Sequence, residues 1–184
     1  LALGPSIKER KAEVDRFIAK HDPVILGANF LGGLFVPHYH AFTNKNRFLS
    51  HVQSVDPRSR LMLGVNITPE MIADYVSRDY ELMHFQDILD AEFDIRDGFI
   101  TTNCHSISVL LAGLAVVMGA KRVFIAGMDG YLNKNMVSST LFYDEKFDNA
   151  EERLNVERHH WNERFLKQID AYIRRNGGEG VHII

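Results

Sequence analysis

The chain is poor in the residues and motifs that make many functions easy to see. It has one cysteine, Cys104, in 184 residues, so it forms no internal disulfide, and a lone thiol suits a reducing cytoplasm. No CxxC or HExxH spacing occurs, which removes the common zinc frameworks. Neither GxGxxG nor GxxxxGK[ST] is present, so dinucleotide and ATP binding through the usual glycine loops find no support. The longest apolar stretch, Ile107 to Met118, falls short of the roughly 20 residues that span a bilayer. With 21 Lys and Arg against 24 Asp and Glu, the net charge of −3 gives no general attraction to nucleic-acid phosphates. There is no internal repeat, low-complexity segment or Pro/Ser-rich linker, and one domain over 1–184 is expected. The sequence opens at Leu1 without a Met and is already apolar, so it reads as a piece excised from a longer protein rather than as a signal peptide.

What is present is the balance of a soluble globular domain, 46% hydrophobic and 24% charged, at a length that buries roughly 70% of the unfolded surface. Apolar runs of strand length alternate with helical patterns. Leu1-Ala2-Leu3 looks like the end of a strand. Ser6 to Lys20 brings Ile7, Val14, Phe17 and Ile18 near one helical face, and Pro23 to Gly27 is a short buried strand. His40 to Thr43 predicts a strand, Asn46 to Val52 a helix, and Arg60 to Val65 a strand. Thr68 to Ser77 follows as a helix capped by Thr68 and opened by Pro69. Then come a weaker strand at Glu81 to Phe85, an apolar helix at Ser106 to Met118 and a central strand at Arg122 to Ala126. A charged helix at Ala150 to Arg175 and a last strand at Val181 to Ile184 complete the chain. This alternation predicts an α/β fold: three layers, α/β/α, around a mostly parallel, doubly wound, Rossmann-like sheet.

Sites in that class lie outside the carboxyl ends of the strands, so the residues following each strand are the candidates. Gly4-Pro5-Ser6 makes a tight turn into a helix, suited either to an anion or to capping by Ser6 with Glu9 completing a capping box. Asn29 and Asn44 follow successive strands. An amide that donates and accepts suits a base or a ribose, and is equally a turn former. Thr101-Thr102-Asn103-Cys104-His105-Ser106-Ile107-Ser108 leads into the apolar helix. Its hydroxyls and the helix dipole suit a phosphate, with capping by Ser106 the plainer reading. Gly127-Met128-Asp129-Gly130-Tyr131 places a carboxylate at a central strand end, for a hydroxyl or a general base, or forms an Asp-Gly turn. His159 and His160, with Asn162 nearby, have the side chain suited to acid/base work near neutrality. His38 and His40 have the i, i+2 spacing of ligands on one strand face, but with no CxxC or HExxH beside them no metal is expected.

In order, Gly4-Pro5-Ser6, Asn29, Phe42-Thr43-Asn44, Ser106-Ile107-Ser108, the run Gly119 to Asp129 and His159 to Asn162 resemble the bacterial sialyltransferases of glycosyltransferase family 42. They also resemble the related DUF115 proteins, which include the archaeal-type 6-hydroxymethylpterin diphosphokinases. The helix–Gly–basic–strand–Gly-x-Asp segment carries most of the likeness. Gly130 stands between Asp129 and Tyr131 where the family pattern has an aromatic directly, and Ser-Ile-Ser is nearer the pterin enzymes' Thr-x-Thr than the sialyltransferases' Thr-Ser-Gly.

The resemblance implies a cytoplasmic, nucleotide-binding transferase serving bacterial cell-surface glycan synthesis, with a CMP-linked or other nucleotide sugar as donor and a sugar or glycan as acceptor. Gly4, Pro5, Ser6, Asn29, Asn44, Thr102, Asn103, Ser106, Ser108 and Tyr131 would hold the nucleotide and its phosphate. Asp129 would lie near the ribose or sugar, and His159 or His160 would be the base. Helix dipoles could stand in for a metal, so no cofactor is required. The alternatives are an ATP-dependent diphosphokinase, with Mg²⁺ held by Asp129 and Asp144 or Asp148, and a non-catalytic accessory domain of a larger enzyme. The long last helix and Trp161 suggest a surface for a homo-oligomer.

Overall fold

The computed structural model describes residues 1–88, 91–104, 106–129 and 152–184. It is an α/β structure: β1 (Leu26–Ala28), β2 (Tyr39–Phe42), β3 (Arg60–Gly64) and β4 (Tyr80–Met83) form a parallel sheet in that order. β5 (Phe85–Asp87) runs parallel to β7 (Phe99–Thr102), and β7 pairs antiparallel with β6 (Asp94–Arg96). β8 (Arg122–Ile125) and β9 (Gly180–Ile183) form a parallel pair. Hydrogen bonds join these groups. β5 continues the line of β4, and the Ile100 N–H donates to His84 O, between the two, at 3.1 Å.

Leu1 to Gly4 bridges the other gap. The Leu1 amino group donates to Leu26 O at 2.6 Å, and the Ala2 and Gly4 N–H groups donate to Ala126 O and Gly127 O at 2.8 and 2.9 Å. The expected first strand is therefore present as an extended connector between β1 and β8, although its ladder is too short to register as a strand.

Side chains alternate between the two faces of the sheet as strands require, and both faces are covered. Phe42, Leu61 and Leu63 pack with Phe48 and Val52 of the α3 region (Lys45–His51 and the following 3-10 turn) and with Ile72 of α4 (Pro69–Tyr75). Ala41 and Met62 turn the other way, into a core shared with α5 (Ile107–Val117) and α6 (Glu152–Arg175). α5 is apolar nearly all round because it lies between strands and α6, and Val109 to Leu114 are all buried. On the far face of β8, Phe124 packs against Phe17 of α2 (Lys11–His21), the rings tilted at 59°. Among the described residues no helix is long and apolar enough to cross a membrane.

Several expected elements take a different form. The helix predicted over Ser6 to Lys20 is two: α1 (Ser6–Glu9) and α2, separated at Arg10, whose φ of −99° and ψ of 18° leave the helical basin. The strand expected at Glu81 to Phe85 splits into β4 and β5 at His84. The β6–β7 hairpin was not anticipated; its turn is Asp97-Gly98, with φ of 50° and 80°, the left-handed pair of a two-residue hairpin. Thr68 caps α4 as expected, accepting from the Met71 N–H at 3.4 Å with Pro69 at the first helical position.

The buried Leu1 amino group gives a pH test. Burial lowers it from the ordinary 8.0 to about 6. The folded chain therefore binds fewer protons than the unfolded chain between these values, and stability falls as pH falls from 8 to 6, by about 2 kcal/mol. Urea unfolding at pH 8 and pH 6, compared between the free and the Nα-acetylated chain, should show this loss in the free chain alone.

Candidate functional site

The carboxyl ends of the Leu1–Leu3 segment and of β8 lie side by side, and the residues just beyond them are locked together. The Ser6 N–H donates to Asp129 Oδ2 at 2.8 Å, and the Ser6 hydroxyl donates to Asp129 Oδ1. Two glycines permit this approach. A Cβ on Gly4 would meet the Asp129 carboxylate and lie 2.6 Å from Gly127 O; a Cβ on Gly127, at φ 78°, would lie 2.7 Å from Ala2 O. Asp129 thus takes the position at the α1 N-terminus that the sequence offered to a phosphate or to a capping box. Pro5 is the N-cap residue and makes no side-chain cap bond. A carboxylate held this way accepts hydrogen bonds and repels a phosphate, which suits it to hydroxyl groups.

The next strand out ends at Asn29, whose φ of 53° puts a non-glycine residue in the left-handed region. Three contacts hold the backbone there: its N–H donates to Ala41 O at 3.1 Å, its carbonyl accepts from His40 Nε2 at 2.7 Å, and His40 stacks on Phe42. Burial pushes the His40 imidazole below its ordinary value, against the opposing effect of the Asn29 bond. The ring is therefore neutral near pH 7, with the proton on Nε2. The Asn29 Oδ1 atom is buried and has no hydrogen-bond donor. Such an acceptor costs about 1–3 kcal/mol unless something supplies a proton.

The other strand-end amides are occupied. Asn44 Oδ1 accepts from the Arg47 N–H at 3.0 Å as the N-cap of α3. Asn66, after β3, donates to Thr43 O; the sequence reading passed over it, although the strand-end rule that picked Asn29 and Asn44 applies to it equally. His38 and His40 do not form a ligand pair: His38 Nδ1 accepts from the Ile25 N–H at 2.9 Å, while His40 serves Asn29. No group of three His, Cys, Asp or Glu among the described residues is placed to hold a metal.

At the entry to α5, Thr102 is 2% exposed and its Oγ1 accepts from the Cys104 N–H at 3.0 Å, a local turn rather than an exposed hydroxyl. Cys104 is buried and its thiol is pushed up by that burial, which removes thiolate character. Ser106 is the N-cap residue of α5 by position, yet its side chain makes no capping bond; Asn103 and Ser108 are half-buried. Tyr131, His105, Asp144 and Asp148 lie outside the described residues.

α6 ends beside the start of β8, where the Glu179 N–H donates to Lys121 O at 2.7 Å. Its inward stripe is Asn162, Phe165, Ile169 and Ile173. The eleven residues from Ile173 back to Asn162 cover ~17 Å, more than the ~13 Å of a four-residue strand. Because α6 leads back through a short turn into β9, its amino-terminal turns, with His159 and His160, lie toward the carboxyl end of β8 and β9. His159 is half-buried and His160 exposed, their rings 5.8 Å apart, with His160 Nδ1 4.0 Å from Glu163. The Asn162 Oδ1 atom, like that of Asn29, is buried without a donor. Trp161 is half-buried rather than exposed.

No family model, curated protein or solved structure matches this chain.

The clasp can be tested directly. Ser6→Ala should lower stability by about 1 kcal/mol in urea unfolding. Gly4→Ala, which forces Asp129 or the Gly127 backbone aside, should cost more, about 2–4 kcal/mol.

Proposed function

We propose that the chain is a nucleotide-binding transferase domain of Rossmann-like, doubly wound design, using a CMP-linked or other nucleotide sugar. In this reading the three hydrogen-bonded groups of strands act as one sheet. Its winding reverses between Leu1–Leu3 and β8, and ligands of doubly wound sheets bind at that reversal, outside the carboxyl ends. The observation that carries the reading is Asn29: a left-handed, rigidly held residue beside the reversal, with a buried acceptor lacking a donor. An acceptor of this kind fits the exocyclic amine of cytosine or adenine, or a ribose hydroxyl.

The remaining roles follow from charge. Asp129, fixed by Ser6, suits the hydroxyls of the ribose or the sugar rather than the phosphate. The phosphate would lie at the α5 entry, where the Ser106 hydroxyl is not used for capping and the helix N-terminus favours negative charge. His159 or His160, at the same edge, would take the proton of the acceptor hydroxyl. A nucleotide donor and a lone thiol fit a cytoplasmic location.

Thermal shifts with CMP, CDP, UDP, GDP, AMP and ATP, with and without Mg²⁺, test the proposal. A Mg²⁺-independent response to CMP is expected. A response only to ATP with Mg²⁺ would point instead to diphosphate transfer, and no response to any nucleotide would overturn both readings. Asn29→Gly, which keeps the left-handed backbone and removes the buried acceptor, should raise stability by about 1–3 kcal/mol and abolish the CMP shift. His159→Ala with His160→Ala should leave the CMP shift intact and remove transfer to an acceptor.

A further inference from the structure

His40 sits on the middle of three adjoining strands, where there is little room for a charge. It is 5% exposed, lies in register with Gly27 of β1 and Leu61 of β3, and stacks on Phe42 with ring centroids 5.2 Å apart. Its Nε2 meets the Asn29 carbonyl at 2.7 Å, so the ring that fits here is the neutral tautomer with its proton on Nε2. Arg78, in the loop before β4, and His51, at the end of α3, act on this ring, and both oppose a positive charge on it. Asp56, whose carbonyl accepts from Arg78 at 3.2 Å, has its carboxylate paired with Arg58. From β1 the neighbours are uncharged, and Arg60 of β3 leans over Tyr39 and pairs with Glu81. Among the described residues, no carboxylate acts on His40.

The residue that depends on this proton is Asn29. At φ 53° a non-glycine residue stays left-handed only while its surroundings hold it, and two hydrogen bonds do so: its N–H to Ala41 O and its carbonyl to His40. Loss of the second frees the peptide plane after Asn29 and leaves its side chain without a fixed direction. An imidazolium would keep the Nε2–H, so the bond itself tolerates protonation. The pocket does not, because a buried charge without a counter-charge is driven toward water. Departure of the ring and loss of the Asn29 anchor are then one event.

We infer that His40 is a positioning residue for the Asn29 acceptor, holding it in place while neutral and releasing it on taking up a proton, so that ligand binding at this strand end is coupled to pH. The identity of the ligand rests on the nucleotide reading of Asn29; the coupling rests on the backbone alone. Burial sets the sign. The native ring is pushed below its ordinary 6.5, so this group has no effect above pH 6.5, and affinity falls as pH drops through the lowered value. For one proton the fall is up to about tenfold per pH unit. By reciprocity, bound nucleotide makes His40 harder still to protonate.

The test measures CMP affinity from pH 7.5 down to the acid limit of the native circular-dichroism spectrum in wild type, His40→Gln and His40→Phe, with His51 kept in all three. Gln places an amide N–H near the Nε2 position and does not titrate; Phe keeps a stacked ring and donates nothing. Wild type should lose at least tenfold more affinity across the range than His40→Gln, and at pH 7.5 His40→Phe should bind at least tenfold more weakly than His40→Gln. Equal pH dependence in wild type and His40→Gln would overturn the inference, since the proton would then belong to CMP or to another side chain. Equal binding by the Gln and Phe chains at pH 7.5 would overturn it too. Amide exchange in the ligand-free chains needs no nucleotide: the Asn29 protection factor should fall with pH in wild type and stay level in His40→Gln, and a level wild-type value overturns the coupling. If no chain binds CMP at any pH, the nucleotide reading has failed and the exchange data alone decide the role of His40.

Discussion

Four residues, Leu1 to Gly4, carry the backbone hydrogen bonds between β1 and β8, beside a core that α5 and α6 share with both. Among the described residues, β1 to β4 and the β8–β9 pair are not paired to each other directly; Leu1 bonds to one and Ala2 and Gly4 to the other. The Ser6–Asp129 contact fastens the same junction at its carboxyl end, across 123 residues of sequence. Asn29 stands on one side of this seam and Asp129 on the other. Gly4 and Gly127 are small because the seam is narrow, and so their roles are steric before they are chemical.

Most of the strands and helices were legible because their burial is one-sided or complete. Val123 to Ile125 and Leu61 to Gly64 are continuous apolar runs, as parallel strands covered on both faces must be. α5 was legible from an unbroken apolar surface, and α6 from its 3.6-residue stripe. The β6–β7 hairpin was harder, since Phe99 is 47% exposed and the three residues of β6 are not fully buried, which leaves little hydrophobic pattern. Asp97-Gly98 was the available signal, and it is short. The break at Arg10 leaves no compositional trace; no proline or glycine marks it.

The site was legible as a set of positions and less so as a set of roles. Strand-end residues are found by locating strands, and Asn29, Asn44 and Asp129 all stand where that rule put them. What each side chain does depends on partners distant in sequence or set by backbone angles. Asn44 and Asn29 are the same residue type in the same topological position, yet one caps a helix and the other keeps a buried oxygen without a donor. The difference lies in the sign of φ: Asn44 is extended at −104° and Asn29 left-handed at 53°. Likewise, nothing near Ser6 in the sequence announces that a carboxylate 123 positions away fills the place a ligand anion would otherwise take.

The outermost strand, β6, ends the sheet in the opposite direction from its neighbours, and Asp94 and Arg96 pair along its length at 2.7 Å. A parallel edge of apolar residues would be a template for another chain, with unpaired N–H and C=O groups in a row. Three residues are too few to offer a long register, and an ion pair on one face must be broken or desolvated before a second strand can dock there. That end of the sheet is therefore guarded against edge-to-edge aggregation at high concentration.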